Sequence, residues 1–476
     1  MKIQTYLFLI LLFGSTSCFS QVDSTKMDWF QDAKLGIFIH WGMYSVDGTS
    51  ESWAFHNRTV DYPSYFNQKN GFKAENYHPE EWVKLIKESG AKYTVLTTQH
   101  HDGLALWNTQ QLTPYIDKAT WTKAFPDLPY PQGKNTLWNS KKPLSTVFQT
   151  PAKKDLVQPF VTACRAENLK FGAYYSLLDW SHNSYPGFLK DFTRYELKND
   201  SLKWNEFLRF MHGQINEINT QFKPDLYWFD GDWEHSEAEW KADKIDSIIH
   251  TSNPSAILNG RLHSYGDYQT PEQNQPVVRP AKKYWELCLT SNDNWGYRPS
   301  DHNYKTTHEV LTIFTECLNM GGNLLLDIGP KADGSIPKEQ VNLLQEIGRW
   351  TKKHDEAIFG SIAGLPYGHF HGKSTLSKDS STIYLFVDNI IQSDSIGEFI
   401  FQVSLKGLKN KIKSASILGI QNSKLEVKEV GKISWSHVPG TLFISVPSKY
   451  LDKEITVIKL ELDGKLMLYR GQGGFN

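Results

Sequence analysis

The sequence predicts an α/β fold: an imperfect (β/α)8, TIM-like barrel followed by a C-terminal antiparallel β-sandwich. From Leu35 to Ala357, short β-branched or aromatic runs alternate with amphipathic stretches, the pattern of a parallel sheet wrapped by helices. After Gly364 the chain changes to short alternating segments, which read as antiparallel strands. A length of 476 residues is too great for one small core, and it points to two or three domains.

The expected barrel strands are Leu35 to Gly42, Tyr93 to His100, Lys170 to Leu177, Asp225 to Gly231, Ala256 to Arg261, Tyr284 to Thr290 and Asn323 to Gly329. Between them, apolar residues at three and four spacing predict helices. One starts at Pro79-Glu80-Glu81, where proline and acidic residues suit a helix N-terminus. Others are expected at Lys154 to Glu167, Leu202 to Thr220, Glu237 to Ser252, His308 to Met320 and Lys338 to Asp355. Seven strands with intervening helices favour a barrel over an open sheet. The stretch between Arg261 and Tyr284 has no clear helix, so closure is expected to be imperfect.

Asn108 to Thr150, with Pro114, Pro126, Pro129, Pro131 and Pro143, reads as a long loop after the second strand, the kind that carries function. Sandwich strands are expected at Thr382 to Val387, Phe399 to Leu405, Lys424 to Val430, Lys432 to His437, Thr441 to Val446 and Ile455 to Leu462. The division is therefore a leader over 1–20, a catalytic barrel over 21–361 and a sandwich over 362–476. Lys2, the apolar stretch Tyr6 to Phe13 and the small residues that follow read as a secretory signal peptide cleaved near Ser20. It is too short to span a membrane. Export to the periplasm or the exterior is expected, and Cys18 leaves a lipid-anchored form open.

A net charge of -1 with no long basic run gives no footprint for nucleic acid or an anionic membrane. Aromatic residues make up 13% of the chain, with 16 Trp and 22 Tyr, which suits stacking on sugar rings as well as a large core. Cys164, Cys288 and Cys317 form no disulfide framework and lack metal-ligand spacing.

Chemistry in such a barrel sits at the C-terminal ends of the strands. There the chain places His40-Trp41-Gly42, His100-His101-Asp102-Gly103, Tyr174-Tyr175, Asp179-Trp180, Trp228-Phe229-Asp230-Gly231, Asn259-Gly260-Arg261 and Trp285-Glu286. Asp230, emerging from an apolar strand at the rim, is the leading catalytic candidate; its alternative is a helix cap. Glycoside hydrolysis needs a second carboxyl group. Glu272, after Pro271 in a loop able to reach a leaving oxygen, and Glu286, within a strand, are the two candidates.

Phe38-Ile39-His40-Trp41-Gly42, Gln99-His100-His101-Asp102-Gly103, Tyr174-Tyr175-Ser176, Trp228-Phe229-Asp230-Gly231, Thr270-Pro271-Glu272, Trp295-Gly296-Tyr297 and Gly321-Gly322-Asn323-Leu324-Leu325-Leu326 together resemble the α-L-fucosidases of glycoside hydrolase family 29. The resemblance runs from Met27 to Ser361. It implies a retaining, exo-acting double displacement on a fucosylated oligosaccharide or glycoconjugate, with Asp230 as nucleophile, Glu272 as acid/base and no cofactor. Glu286 is the second choice for the acid/base. By the same likeness His40, His100, His101, Tyr175, Trp228 and Arg261 bind fucose hydroxyls, and Trp53 and Trp295 pack near the ring or its methyl group. Glu51-Ser52-Trp53 departs from the adjacent Glu-Trp common in the family, which puts a sugar contact from Glu51 in question.

Adjacent strand residues point to opposite faces, so His100-His101 is not expected to bind metal. Gly372-Lys373-Ser374 lacks the spacing of a phosphate loop, and no Gly-x-Ser-x-Gly elbow supports serine-hydrolase chemistry. Two alternatives to a fucosidase are a related α-glycosidase, such as one acting on L-galactosides, and a non-catalytic glycan-binding protein.

Overall fold

The computed structural model describes residues 24–114, 116–131, 142–388 and 398–471. The expected leader lies outside the described residues, as do 115 and 132–141 of the long insert.

Seven parallel strands form the central sheet: β1 Leu35–Ile39, β2 Tyr93–Gln99, β3 Lys170–Ser176, β4 Leu226–Asp230, β5 Ile257–Leu258, β6 Glu286–Thr290 and β7 Asn323–Ile328. Their order is β5-β4-β3-β2-β1-β7-β6. Nearly every residue in them is buried, because helices cover one face and the barrel interior the other. That is why these strands read as continuous apolar runs.

The sheet closes through a segment that no regular strand pattern announces. Asn259 bridges Tyr268, Gln269 bridges Trp285 and Glu272 bridges Cys288, all in parallel. Asp267 N–H donates to Leu258 O at 2.7 Å on one side, and Cys288 N–H donates to Pro271 O at 3.1 Å on the other. Residues 267–272 thus act as an eighth stave between β5 and β6. The loop expected around Glu272 is part of the barrel wall, and Glu272 lies at its C-terminal end.

Side chains alternate across each strand. Phe38, Val95, Tyr174, Leu226, Trp228, Cys288 and Leu325 pack together in the barrel interior. Ile37, Ile39, Tyr175, Tyr227, Phe229, Leu287 and Leu326 face the surrounding helices. Gly36 is required in the interior, since a Cβ there would lie 2.4 Å from the Tyr93 ring.

The covering helices are α1 Pro79–Glu88, α2 Val157–Ala166, α3 Ser201–Phe222, α4 Ala242–Ser252, α5 Thr307–Met320 and α6 Lys338–Lys353. A capping box between Thr306 and Glu309 opens α5, and left-handed Gly321 closes it. The helix expected over Glu237 to Ser252 is broken: Glu237–Trp240 ends at Lys241, whose φ of 54° starts α4 afresh. No described helix is long and apolar enough to cross a membrane.

Beyond the barrel lie β8 Ile362–Ala363, β9 Lys373–Leu376, β10 Thr382–Asp388, β11 Ile400–Leu405, β12 Ile412–Ile417, β13 Glu426–Val430, β14 Thr441–Pro447 and β15 Ile455–Leu462. They form a five-stranded sheet, β8-β9-β10-β15-β12, and a three-stranded sheet, β11-β14-β13. Lys432 to His437 is not a strand; Gly431 turns out of β13 at φ 84° and the segment stays exposed. Tyr384, Phe386, Ile455 and Val457 of this region join the same apolar cluster as Trp350 of α6. The Trp350 indole N–H donates to Ile455 O at 2.8 Å.

Candidate active site

The interior parity of β4 sends Trp228 and Asp230 to the same side, toward the barrel mouth. Tyr174 OH donates to Asp230 Oδ2 at 2.8 Å, and Arg261 Nη1 donates to Oδ1 at 2.6 Å. Both carboxylate oxygens are thereby aimed, with 12% of the side chain left open. Arg261 Nη2 meets Glu272 Oε2 at 2.5 Å, so one guanidinium joins the two carboxylates. Glu272 is the more accessible of the pair, its side chain 41% exposed. The guanidinium lies over the Trp228 ring, 4.5 Å from its centroid. Burial opposes its charge, yet Asp230 and Glu272 hold its pKa above the ordinary arginine value.

Three histidines face the same hollow, each with Nδ1 engaged. His40 Nδ1 lies 2.7 Å from Asp327 Oδ1, and both residues are buried. Burial lowers the His40 pKa and raises that of Asp327. His100 Nδ1 meets Ser52 Oγ at 2.6 Å. His101 Nδ1 meets Ser176 Oγ at 2.6 Å, while that hydroxyl donates its own hydrogen to Leu178 O at 2.6 Å. Ser176 must therefore accept from His101, which leaves the Nε2 lone pair facing Asp230 Oδ2 at 3.6 Å. Burial lowers the His101 pKa to about 3, so this contact is no ion pair. Two acceptors at that distance are suited to receive hydroxyl hydrogens from a bound sugar.

Aromatic rings wall the hollow. Tyr174 and Trp228 stack with centroids 5.7 Å apart, Trp295 lies 4.9 Å from His40, and Trp53 meets His101 edge-on at 5.7 Å. This combination of apolar faces, neutral imidazoles and two carboxylates matches a neutral polyhydroxylated ring.

The model for the alpha-L-fucosidase family matches residues 16–122 and 133–356. The chain belongs to the alpha-L-fucosidase family. Tissue alpha-L-fucosidase of Homo sapiens is 30% identical over 450 residues, covering 88% of this chain and 84% of its own. Alpha-L-fucosidase isoenzyme 1 from Paenibacillus thiaminolyticus has a TM-score of 0.73 at 29% identity, over 92% of this chain and 99% of its own. An alpha-L-fucosidase from Bacteroides thetaiotaomicron, solved as a trapped covalent intermediate, shares the fold with a TM-score of 0.73 at 24% identity, over 92% and 96%. The chain is accordingly a glycoside hydrolase, and its substrate is a fucosylated glycan.

In this fucosidase-family chain the hollow gathers Asp230, Glu272, His40, His100, His101, Trp228, Arg261, Trp53 and Trp295. Two expectations are corrected. Tyr175 points outward and donates to Gln214 Oε1 at 2.8 Å, because it has the parity opposite to Tyr174. Tyr174 is the residue that touches Asp230. Glu286 is fully buried beneath the hollow, where its oxygens accept from Tyr93 OH and, at 3.0 Å, from the Trp228 indole N–H. Burial raises its pKa to about 7, and its place is to fix Trp228 rather than to meet substrate.

His100 and His101 also differ from the strand-alternation reading. A register shift after Thr97 and the end of β2 at Gln99 put both in a turn, so both rings face inward. Glu51 is buried and accepts from Gly296 N–H at 2.7 Å, which braces the turn carrying Trp295. Among the described residues no group of three or more His, Cys, Asp or Glu is placed to hold a metal ion. Asp327 was missed by sequence reasoning, although a carboxyl group in the apolar run Leu324 to Ile328 was the available signal.

Proposed function

We propose that this fucosidase cleaves terminal α-L-fucosyl groups with retention, using Asp230 as nucleophile and Glu272 as acid/base. The observation that carries this reading is the single Arg261 guanidinium gripping both carboxylates at one mouth, which places them as near neighbours. Retaining enzymes hold their carboxyl groups about 5–5.5 Å apart, whereas inverting ones leave room for a water at roughly 6.5–9.5 Å. The Bacteroides thetaiotaomicron relative trapped as a covalent intermediate supports the same course.

In the first step an Asp230 oxygen bonds to the anomeric carbon as the glycosidic C–O bond breaks, and Glu272 gives its proton to the departing oxygen. In the second, Glu272 takes a proton from water, the water oxygen bonds to the anomeric carbon and the bond to Asp230 breaks. Two inversions give net retention. Tyr174 and Arg261 hold Asp230 in line, and the exposed Glu272 side chain swings from Arg261 to the leaving oxygen.

Azide separates the two roles. With 4-nitrophenyl α-L-fucoside, the Asp230→Ala variant is expected to lose at least about 10³-fold in kcat and to yield β-L-fucosyl azide when azide is added. The Glu272→Ala variant is expected to yield α-L-fucosyl azide, since its covalent intermediate still forms. An Asp230→Ala enzyme of near-normal rate is incompatible with the proposal.

Export of the mature chain is proposed on the leader-like pattern of Met1 to Ser20. An intact mass that begins after Ser20 in an exported fraction is the expected result.

A further inference from the structure

Asp230 is followed by left-handed Gly231, φ 90°, and by a short 3-10 helix, Asp232–Glu234. A Cβ at Gly231 would lie 2.3 Å from Leu178 Cγ, so the chain must turn there with glycine. The helix is then tied down on both sides. Asp232 O accepts from the Trp240 indole N–H at 3.0 Å. Glu234 accepts from the Trp180 indole N–H at 3.1 Å and from Tyr185 OH at 2.5 Å.

Between those anchors sits Trp233, with 53% of its surface exposed. Its ring runs nearly parallel to Trp53, 15° apart with centroids at 6.5 Å, and it meets the His101 ring edge-on at 6.2 Å. His101 in turn lies 3.6 Å from Asp230. An indole held by a rigid backbone at the rim, one imidazole away from the reacting carboxylate and open over half its surface, differs from the rings that wall the hollow, of which Tyr174 and Trp228 are buried and Trp53 and Trp295 half-buried.

We propose that Trp233 is a platform for the sugar attached to fucose, stacking on the apolar C–H face of a pyranose leaving group and setting which glycans are cleaved well. This rests on the fucosidase reading above and adds to it a binding place outside the fucose hollow. Chemically the ligand is a neutral hexopyranose or N-acetylhexosamine joined to the fucosyl group. Stacking of this kind acts when a ring is present to be stacked, and it contributes nothing for a leaving group that lacks one.

The test compares Trp233→Ala with the parent on two kinds of substrate. α-L-Fucosyl fluoride has no ring beyond fucose, whereas fucosyl-(1→2)-galactose and fucosyl-(1→3)-N-acetylglucosamine present one. The platform predicts that kcat/KM on whichever disaccharide the parent cleaves faster falls about tenfold or more, while the fluoride changes by less than about twofold. Turnover of the fluoride also shows that the variant is folded. Trp233→Phe keeps a flat face and should recover most of the disaccharide rate. An equal loss on fluoride and disaccharide, or no loss on the disaccharide, overturns the platform. A parent enzyme that releases fucose from neither kind of substrate overturns the fucosidase reading itself.

Discussion

Asp102 shows how single residues hold the site without touching the sugar. It sits in the turn that carries His100 and His101, where its carboxyl group accepts from Tyr65 OH at 2.7 Å and from Leu104 N–H at 3.0 Å. Burial raises its pKa to about 6. The native state therefore keeps a proton that the unfolded chain has already lost between the ordinary carboxyl range and pH 6. Asp102 accordingly lowers stability as pH rises through that window, and the cost stays constant above it. The Asp102→Asn variant has no such cost. Relative to the parent it should gain roughly 2–3 kcal/mol between about pH 4 and about pH 7, read from urea unfolding at each pH. A difference that does not change with pH would show that Asp102 titrates alike in both states. At this scale much of the site was legible: Asp230 and Arg261 follow apolar strands and carry polar groups that a buried rim needs partners for. Tyr174 and Tyr175 were not separable, because adjacent tyrosines fit either parity until the register is known. Asp327 and Ser176 act through His40 and His101, and no spacing in the sequence links them.

Among the elements, the stave over 267–272 decides where Glu272 stands. It was unreadable as a strand since it makes isolated bridges with β5 and β6 rather than a ladder, and its side chains show no alternation. Gly266 starts it where the backbone passes closest to its neighbour. A Cβ on Gly266 would lie 2.5 Å from Gly260 Cα and 2.6 Å from Asn259 O, both backbone atoms that cannot turn aside. Gly266→Ala should push the stave outward and misplace Glu272. Displacements near 1 Å cost on the order of 10²-fold in rate. That loss should appear in kcat/KM for disaccharides, whose first step needs protonation of the leaving oxygen, and much less in kcat/KM for α-L-fucosyl fluoride, which needs Glu272 only as the base of the later hydrolysis step. An Ala variant with unchanged disaccharide turnover would mean that Glu272 is placed by other contacts. The regular barrel strands, by contrast, were legible to within three residues at either end, because burial on both faces leaves them continuously apolar. The break at Lys241 and the missing strand at Lys432 to His437 were not, since one residue in the left-handed region outweighs the local pattern.

Across the whole molecule, the barrel and the antiparallel sheets share apolar packing. Trp350 is fully buried at that junction, with its N–H on Ile455 O and its ring 6.2 Å from Phe386. Asp452 adds charge pairing there, accepting from Lys353 Nζ at 2.7 Å and from both terminal nitrogens of Arg349 at 3.3 Å. Trp350→Ala should cost about 3–5 kcal/mol of stability, from lost burial and an unfilled cavity. Thermal unfolding is expected to fall accordingly, while kcat of the folded enzyme at low temperature stays near that of the parent. A variant as stable as the parent would mean that the two parts do not support each other. The change of pattern after Gly364 was visible in the sequence. This junction was not, because its contacts join residues about a hundred positions apart.

The claim on which the rest depends is that Asp230 forms the bond to the sugar. Treating the enzyme with 2-deoxy-2-fluoro-α-L-fucosyl fluoride and locating the added mass by peptide fragmentation tests it directly. The expected result is one 2-fluorofucosyl group on Asp230. A label on Glu272 or Glu286, or turnover of the reagent with no covalent species at any time, would contradict it.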